Sequence, residues 1–229
     1  MYSCSCRFYA LRRVLALSSR ASHLQLPEGE NSKDLSSRGV LLDRDGVINE
    51  LVYFPEIGII DSPLNPDQFR LLPDVAKAIR TLNELGFKVV VVSNQPGIAK
   101  GKMTEELFEK VRSRMKRELE KEGAYLDAEY YCLHHPDAVK EKYKVNCDCR
   151  KPKAGLFLKA SSELKLDLSR SFSIGDSLID VKAGRAAGCT TILVGSMKCD
   201  LCKLMDQENA RPDFIVGSLI KAVDIIRRK

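Results

Sequence analysis

Short apolar runs recur along the chain, and each is followed by polar residues or glycine. Two of them, 39–43 (GVLLD) and Lys88–Asn94 (KVVVVSN), consist almost wholly of apolar or β-branched residues. Continuous runs of this kind are typical of strands that are buried on both faces, as in parallel sheets. The same reasoning predicts further strands over 129–133, 171–176, Thr190–Val194 and 213–216.

The segments between these runs carry apolar residues at helical spacing. One helix is predicted from position 75 to Gly86, which is a typical stop, and a second from Thr104, a typical cap, to Gly123. Further helices are predicted over 155–165, 178–187 and 218–228. Because strand and helix alternate, the pattern predicts a doubly wound, Rossmann-like α/β fold with a parallel sheet.

Composition narrows the class of protein. Of the 229 residues, 44% are hydrophobic and 30% are charged, which is typical of a globular chain and excludes wholesale disorder. No stretch of about eighteen consecutive apolar residues exists, so no membrane span is expected. We expect one folded domain over 38–229, acting as a monomer in the cytoplasm.

Residues 1–37 form an N-terminal segment, and its first 27 residues hold most of the basic excess of the chain. Arg7, Arg12, Arg13 and Arg20 give the first 27 residues a charge of +4 out of a total of +6. Because nucleic-acid binders usually carry their basic excess on the folded domain, no nucleic-acid partner is expected. The segment could be an organelle transit peptide, a disordered extension, or the product of a start codon upstream of the true one. Its apolar run is too short for a secretory signal.

Acidic, hydroxyl and basic side chains lie at the ends of the predicted strands. Asp43 and Asp45 follow the first strand, Ser93 ends the second, Lys151 precedes the third helix, and Asp176 ends a later strand. Ligands of open α/β sheets bind outside the carboxyl ends of the strands. We therefore expect these side chains to converge on one crevice and to bind a small phosphorylated metabolite.

This set of side chains suits phosphoryl transfer. Clustered carboxylates repel one another unless a cation lies among them, and Mg²⁺ prefers oxygen ligands and substrate phosphate. Asp43 would attack phosphorus and form an aspartyl-phosphate. Asp45, brought to the site by a turn at Gly46, would protonate the leaving oxygen and later take a proton from water. Lys151 and Ser93 would offset the charge of the transferring group.

Each of these features has a simpler interpretation when it is taken alone. Asp-x-Asp before glycine is common in turns and helix caps, and Asp176 and Asp180 could simply flank a helix. Ser93 could belong to an ordinary turn, and Lys151 could be a solvated side chain. The functional interpretation depends on the order of all four features at successive strand ends.

Four segments together resemble the motifs of the haloacid dehalogenase (HAD) superfamily: DRDGVIN (43–49), SNQPGIAKGK (93–102), CDCRKPK (147–153) and GDSLIDVKAG (175–184). They are most similar to its D,D-heptose 1,7-bisphosphate phosphatase branch, and the histidinol phosphatases are the next most similar branch. The resemblance implies a Mg²⁺-dependent phosphatase of carbohydrate metabolism. The implied substrate is D-glycero-D-manno-heptose 1,7-bisphosphate, which would lose its 7-phosphate.

The resemblance also implies roles for individual residues. Asp43 would be nucleophile and Mg²⁺ ligand, Asp45 would be general acid/base and bind Mg²⁺ through its carbonyl, and Asp176 would complete the Mg²⁺ site. Ser93 and Lys151 would be catalytic groups that hold the phosphoryl oxygens. The substrate-binding residues would be Asn94, Gln95 and Arg150, with Asn94 also supporting its loop, while Asp180 would orient neighbouring ligands.

Two close pairs of soft ligands point to a second metal. Cys132-x-His134 and Cys147-x-Cys149 stand twelve residues apart, and thiolates with one imidazole favour tetrahedral zinc over Mg²⁺. The resemblance supports a structural zinc at these four residues. The lone pair Cys199 and Cys202 is interpreted as incidental, because a single C-x-x-C is weak evidence for a metal.

The spacing of the motifs leaves no room for a separate cap domain. Only 47 residues separate Asp45 from Ser93, and 55 separate Asn94 from Arg150. The loop 50–67 differs from the short loop typical of heptose phosphatases, and it lies where the leaving group should be recognised. Histidinol phosphate or another small phosphorylated metabolite is therefore the alternative substrate. A non-catalytic phospho-accepting module is a more distant alternative.

Overall fold

A parallel sheet forms the centre of the molecule in the computed structural model, which describes residues 38–195 and 204–229. Over those residues the sheet has six strands, in the order β5-β4-β1-β6-β7-β8, and all neighbours pair in parallel. Its strands are β1 (Gly39–Leu42), β4 (Lys88–Asn94), β5 (Ala128–Cys132), β6 (Phe172–Gly175), β7 (Thr190–Val194) and β8 (Phe214–Val216). β2 (Val52–Phe54) and β3 (Ile59–Asp61) form a separate antiparallel hairpin.

Helices cover both faces of the sheet, so alternate residues of a strand enter different cores. Val40 and Leu42 of β1 pack into one core, while Leu41 packs into the other. The first core contains α1 (Val75–Glu84), α2 (Glu105–Lys121) and α5 (Leu219–Ile226). The opposite face carries α3 (Gly155–Leu164) and α4 (Leu178–Ala186). Burial on both faces explains why the strands read as continuous apolar runs.

The predicted doubly wound α/β fold is confirmed, and most predicted boundaries lie within two residues of the observed ones. Thr104 caps α2 as expected, because its hydroxyl accepts a hydrogen bond of 3.1 Å from the Leu107 N–H. The predicted 129–133 strand is displaced by one residue, to Ala128–Cys132. Residues 1–37, Cys199 and Cys202 lie outside the described residues, so the predictions for them are not addressed by the structure.

The hairpin of β2 and β3 occupies the insert between the first two motifs, and no cap domain lies there. Residues 50–67 form this hairpin and a 3-10 turn at Pro66–Gln68 instead of an open loop. Tyr53 and Ile60 form an exposed cross-strand pair on one hairpin face. Within 38–195 and 204–229 no helix has the length and apolar character needed to cross a membrane. The monomeric state and the cytoplasmic location stay predictions.

Candidate active site

The first motif turns sharply where β1 ends. The Asp43 N–H still donates to the Ile174 carbonyl of β6 over 2.9 Å, which holds Asp43 at the edge of the sheet. Gly46 has φ +76°, and a Cβ atom there would lie 2.1 Å from Asp176 Oδ2. Glycine is therefore required both for the backbone conformation and for the close approach of Asp176.

Lys151 lies at the centre of the acidic residues, although its side chain is only 3% exposed. Its Nζ is 3.0 Å from Asp43 Oδ1 and 2.5 Å from Asp180 Oδ1, and it donates to the Val92 carbonyl over 2.9 Å. Burial alone would lower the pKa of the ammonium, but the charges of Asp43 and Asp180 hold that pKa above its ordinary value. Lys151 is thus a fixed positive charge beside the proposed nucleophile.

Asn94 fixes the backbone of Lys151 from the neighbouring strand. Its side-chain amide donates to the Lys151 carbonyl over 3.1 Å and accepts from the Lys151 N–H over 3.0 Å. One bond uses an N–H of the amide as donor, and the other uses the amide oxygen as acceptor. Together they fix both the position and the orientation of the Lys151 backbone. This contact agrees with the predicted supporting role of Asn94, whereas its substrate contact stays a prediction.

Three carboxylates converge beside Lys151. One oxygen from each of Asp43, Asp176 and Asp180 can be chosen so that all lie within 4.8 Å of one another. Their donor set is all oxygen, as Mg²⁺ prefers, and one ammonium does not neutralise three carboxylates. The geometry therefore fits a divalent cation. Asp180 joins the predicted pair Asp43 and Asp176 at this site. It lies in the first turn of α4, where its carboxylate accepts a hydrogen bond from the Ser177 N–H.

Burial and neighbouring negative charges raise the pKa of two of these carboxyl groups. Burial raises the pKa of Asp43 to about 6, with Asp180 adding to the effect while Lys151 and the Ser93 hydroxyl oppose it. Partial desolvation in the cleft, together with Asp43 and Asp180, raises the pKa of Asp176 to about 7. Concentrated negative charge of this kind is relieved by a cation, so the electrostatics agree with the donor geometry.

Asp45 has the opposite environment, since donors surround its carboxylate. Oδ1 accepts from Asn49 Nδ2 over 2.9 Å and from Arg44 Nε over 3.1 Å, and Oδ2 accepts from Gln95 Nε2 over 2.6 Å and Ser62 Oγ over 2.8 Å. Burial by itself raises the pKa of Asp45, but Arg44 and the three neutral donors outweigh burial and hold that pKa below its ordinary value.

The side chains of Ser93 and Gln95 are buried rather than exposed to solvent. The Ser93 side chain is buried and accepts a bond of 3.1 Å from Gln95 Nε2, which also donates to Asp45. The described contacts of Gln95 therefore position Asp45 and Ser93, and the substrate-binding role stays a prediction. The structure does bring Asp43, Ser93 and Lys151 together as the sequence predicts.

The predicted zinc ligands form a compact cluster. Cys132 Sγ lies 3.6 Å from Cys147 Sγ and 3.2 Å from Cys149 Sγ, and His134 Nδ1 lies 3.3 Å from Cys149 Sγ. Tetrahedral zinc with Zn–S bonds of about 2.3 Å separates its ligand atoms by roughly 3.5–3.8 Å. The donor set fits zinc, and the observed distances of 3.2–3.6 Å lie within a few tenths of an ångström of that separation. His135 lies outside the cluster, and its Nδ1 accepts from the Asp137 N–H over 3.0 Å.

A cleft of about 480 Å³ opens between the zinc-ligand cluster and Lys151. Arg150 borders it and donates to the His134 carbonyl over 3.2 Å, so the arginine is fixed to the Cys/His loop. Three cationic side chains besides Lys151 line the cleft, at Lys144, Arg150 and Lys153. The cleft is therefore suited to an anionic ligand, and Lys151, which lines it, also contacts Asp43 of the acidic cluster.

Sequence reasoning did not identify several residues that contact Asp45. Arg44 and Asn49 lie inside the first motif, so their proximity in the chain was a usable signal. Ser62 lies seventeen positions after Asp45 in the chain, in a segment without a recognised motif. It directly follows β3, so the position of the hairpin determines its contact with the site.

Comparisons with known proteins agree with the motifs. A family model described as HAD-hydrolase-like matches residues 148–222. A D-glycero-beta-D-manno-heptose-1,7-bisphosphate 7-phosphatase from Photorhabdus laumondii is 43% identical over 161 residues, which are 69% of this chain and 81% of that protein. The protein of the same name from Escherichia coli K12 is 36% identical over 192 residues, which are 83% of this chain and 94% of that protein.

Solved structures give the same picture. A D,D-heptose 1,7-bisphosphate phosphatase from B. bronchiseptica, complexed with magnesium and phosphate, superposes with a TM-score of 0.68 at 29% identity. The superposition covers 83% of this chain and 98% of that one. The corresponding phosphatase from Burkholderia thailandensis has a TM-score of 0.57 at 25% identity, and it covers 84% of this chain and 99% of that one.

Proposed function

The chain belongs to the HAD-like family of D-glycero-beta-D-manno-heptose-1,7-bisphosphate 7-phosphatases, and from that premise we propose that it hydrolyses the 7-phosphate of this heptose bisphosphate. It is a phosphatase, and the HAD resemblance of its motifs is confirmed. The observation that carries the proposal is the contact of Lys151 with Asp43, beside a carboxylate cluster at the carboxyl ends of the strands.

In the first proposed step, Asp43 attacks the phosphorus of the 7-phosphate. The bond from its carboxylate oxygen to phosphorus forms as the bond from phosphorus to the sugar oxygen breaks. Asp45, in its protonated form, gives its proton to the departing sugar oxygen, which leaves as an alcohol. The products of this step are the heptose 1-phosphate and an aspartyl-phosphate at position 43.

In the second step, water attacks the phosphorus of the aspartyl-phosphate. Asp45, now ionised, takes a proton from that water, and the bond between phosphorus and Asp43 breaks to release inorganic phosphate. Asp45 thereby regains the proton it lost, and Asp43 regains its carboxylate. The lowered pKa of Asp45 favours the ionised form that this second step requires.

Charge on the transferring group is balanced by residues that are already in place. Lys151 supports the phosphoryl oxygens without reorganisation, because Asn94 and the Val92 carbonyl fix its backbone and its ammonium. The buried Ser93 hydroxyl adds a neutral donor. Preorganised donors of this kind stabilise the transition state more than the ground state.

Magnesium would be held by Asp43, Asp176 and the main-chain carbonyl of Asp45. When bound, Mg²⁺ neutralises carboxylate and phosphate charge and orients the phosphoryl group. Asp180 remains in contact with Lys151 in this proposal, so its role is to place the ammonium. The raised pKa values of Asp43 and Asp176 agree with a site built around a cation.

Magnesium should bind more weakly as the pH falls. In the metal-free folded state, the pKa of Asp43 is about 6 and that of Asp176 about 7, against 3.8 for an ordinary aspartate. Because the folded protein holds these protons more tightly than the unfolded chain does, the free energy of unfolding falls as the pH rises from about 4 towards 6 to 7, and the cation offsets that loss. Between about pH 7.5 and 5.5 the apparent Kd should rise about 10- to 100-fold.

Thermal unfolding with and without Mg²⁺ at both pH values checks this dependence. The increase in Tm should be larger at the higher pH and should disappear in Asp176→Asn. An equal increase in Tm at both pH values would contradict a site made of these two carboxylates.

The cations of the cleft favour a bisphosphate over the alternative substrate. Lys144, Arg150 and Lys153 line the cleft next to Lys151, so a second phosphate would be attracted there. Histidinol phosphate carries an ammonium group at the corresponding end and would be repelled. The test is kcat/KM for the two substrates with Mg²⁺ present. We expect the heptose bisphosphate to be preferred, and a preference for histidinol phosphate would contradict the substrate assignment.

The Cys/His cluster would hold a structural zinc that positions the cationic residues of the third motif. Cys149 immediately precedes Arg150 and Lys151, so a metal on Cys149 restricts the backbone of both. All four cluster members are protein ligands, which is typical of structural rather than catalytic zinc sites.

Loss of one zinc ligand should lower stability and activity together. Cys147→Ser should release the zinc, lower Tm by at least about 5 °C and reduce kcat at least about 10-fold, because the loop before Lys151 loosens. Metal analysis of the purified protein, thermal unfolding and phosphate release measure the three effects. Cys189→Ala is the matched control. Cys189 is buried outside the cluster, so this variant should retain zinc. Full activity in zinc-free protein would contradict the proposal.

A further inference from the structure

Four side chains hydrogen-bond to the carboxylate of Asp45, and they differ in whether they can accept a hydrogen bond as well as donate one. Arg44, Asn49 and Gln95 contact it through guanidinium or amide N–H groups, which can only donate. Ser62 contacts Oδ2 through a hydroxyl at 2.8 Å, and a hydroxyl can both donate and accept. In these contacts Ser62 is therefore the one member of this set that can also accept a hydrogen bond from the O–H of a protonated Asp45.

This difference matters because the proposed reaction uses Asp45 in both forms. Three donors stabilise the carboxylate and offer nothing to a carboxyl O–H. The Ser62 hydroxyl can donate to the carboxylate, then turn and accept from the Oδ2 proton until the leaving oxygen takes that proton. The carboxyl group thus keeps a partner, and the same position, through the whole cycle.

Ser62 also connects Asp45 to the hairpin. It directly follows β3, whose last residue, Asp61, forms an ion pair with Lys102 at the end of the second motif. The register of the hairpin pairs Asp61 with Val52, so the position of Ser62 depends on the pairing of β2 with β3. Any displacement of the hairpin therefore acts on Oδ2 of Asp45.

We propose that Ser62 is a positioning residue for proton transfer, through which the β2–β3 hairpin holds Asp45 in place for both steps of the reaction. The inference rests on the proposed phosphatase function and assigns a role to a residue outside the four motifs. Ser62 does not touch the reacting phosphorus in this proposal. It acts through Asp45, while the hairpin supplies the backbone that carries it.

The test compares a leaving group that needs a proton with one that does not. In the sugar phosphate the leaving oxygen is an alkoxide, which requires protonation by Asp45, whereas p-nitrophenolate leaves p-nitrophenyl phosphate without it. Ser62→Ala should reduce kcat for the heptose bisphosphate about 10- to 100-fold, because acid catalysis is partly lost. For p-nitrophenyl phosphate the reduction in kcat should stay below about threefold. KM should change by less than about threefold for both substrates.

Three further variants separate positioning from a general effect on the fold. Ser62→Thr retains the hydroxyl and should restore kcat for the heptose bisphosphate to within about fivefold of wild type. Ser169→Ala removes an exposed hydroxyl far along the chain and should behave as wild type. Asp61→Asn weakens the ion pair with Lys102 that anchors the hairpin, so it should lower kcat for the heptose bisphosphate more than kcat for p-nitrophenyl phosphate, in the same direction as Ser62→Ala.

An equal loss of kcat with both substrates, a loss confined to KM, or no loss at all in Ser62→Ala would overturn the inference. Thermal unfolding of each variant identifies any that fail to fold, and Ser62→Thr then decides the outcome: a folded threonine variant as impaired as alanine also overturns it. Failure of the proposed function would look different, since the wild-type protein would then fail to hydrolyse the heptose bisphosphate, whatever its activity on p-nitrophenyl phosphate.

Discussion

Replacing Asp43 with asparagine is expected to reduce phosphate release at least about 10⁴-fold, because the amide cannot form the covalent bond to phosphorus. The side chain lies at the end of β1, 3.0 Å from the Lys151 ammonium, and is 14% exposed, so it is accessible from solvent. Neighbouring acids cannot substitute easily, since Asp180 is buried against Lys151 and Asp45 is surrounded by four donors.

The fold should survive this substitution. Asparagine has nearly the same volume, and removing a carboxylate whose pKa is raised to about 6 relieves repulsion with Asp180. Tm should therefore change little while phosphate release, measured with the heptose bisphosphate and with p-nitrophenyl phosphate, is lost. Asp224→Asn, on the exposed side of α5, is the matched control and should retain activity. Normal turnover by Asp43→Asn would refute the nucleophile assignment.

Replacing Lys151 with methionine is expected to reduce kcat about 10²- to 10³-fold, the usual consequence of removing one preorganised charge at a phosphoryl site. The variant should also lose stability. Lys151 is buried between Asp43 and Asp180, and removing one partner of a buried ion pair costs about 3–5 kcal/mol, because the remaining charge is uncompensated. Steady-state kinetics and denaturant unfolding measure the two effects separately.

The stability loss in Lys151→Met should depend on pH and on Mg²⁺. Below the pKa of Asp43, about 6 in the wild type, that carboxyl is protonated and needs no cation, so the loss should be smaller there. Above it the loss should be larger, and Mg²⁺ should partly restore stability but not kcat. Lys159→Met removes an exposed lysine of α3 and should be neutral. A Lys151→Met protein with wild-type kcat would contradict the role of the lysine in charge balance.

The strands and helices were predictable because the sheet is parallel and buried on both faces. Runs such as Lys88–Asn94 are almost entirely apolar, and their period distinguishes them from the amphipathic helices between them. The convergence of Asp43, Ser93 and Lys151 was predictable for the same reason, since the carboxyl ends of parallel strands share one edge of the sheet.

Other features depend on tertiary contacts that leave little trace in the sequence. The β2–β3 hairpin consists of two three-residue strands, which are too short for a reliable alternating pattern. The contact of Ser62 with Asp45 requires that hairpin, and the contact of Asp180 with Lys151 requires α4 to begin next to the third motif. No local property of the chain marks Ser62 as part of the site, whereas the fourth motif marks Asp180 but does not reveal its contact with Lys151.

The acidic cluster and its surroundings form one electrostatic unit. Lys151 compensates two of the carboxylates, donors compensate Asp45, and Asp176 remains at the open side of the cleft, with its pKa raised to about 7. That distribution leaves a place for a cation and a phosphate together rather than for either alone. This interdependence of charges also explains why the four motifs together predict the site better than any one of them does alone.

The most direct measurement is a crystal structure of the protein soaked with beryllofluoride and Mg²⁺, since beryllofluoride binds to a carboxylate as the phosphoryl group would. The account predicts a bond from beryllium to a carboxylate oxygen of Asp43, with the fluorines facing Lys151 and Ser93. Beryllofluoride bound to any other side chain, or a well-ordered Asp43 that carries no ligand beside occupied magnesium, would contradict it.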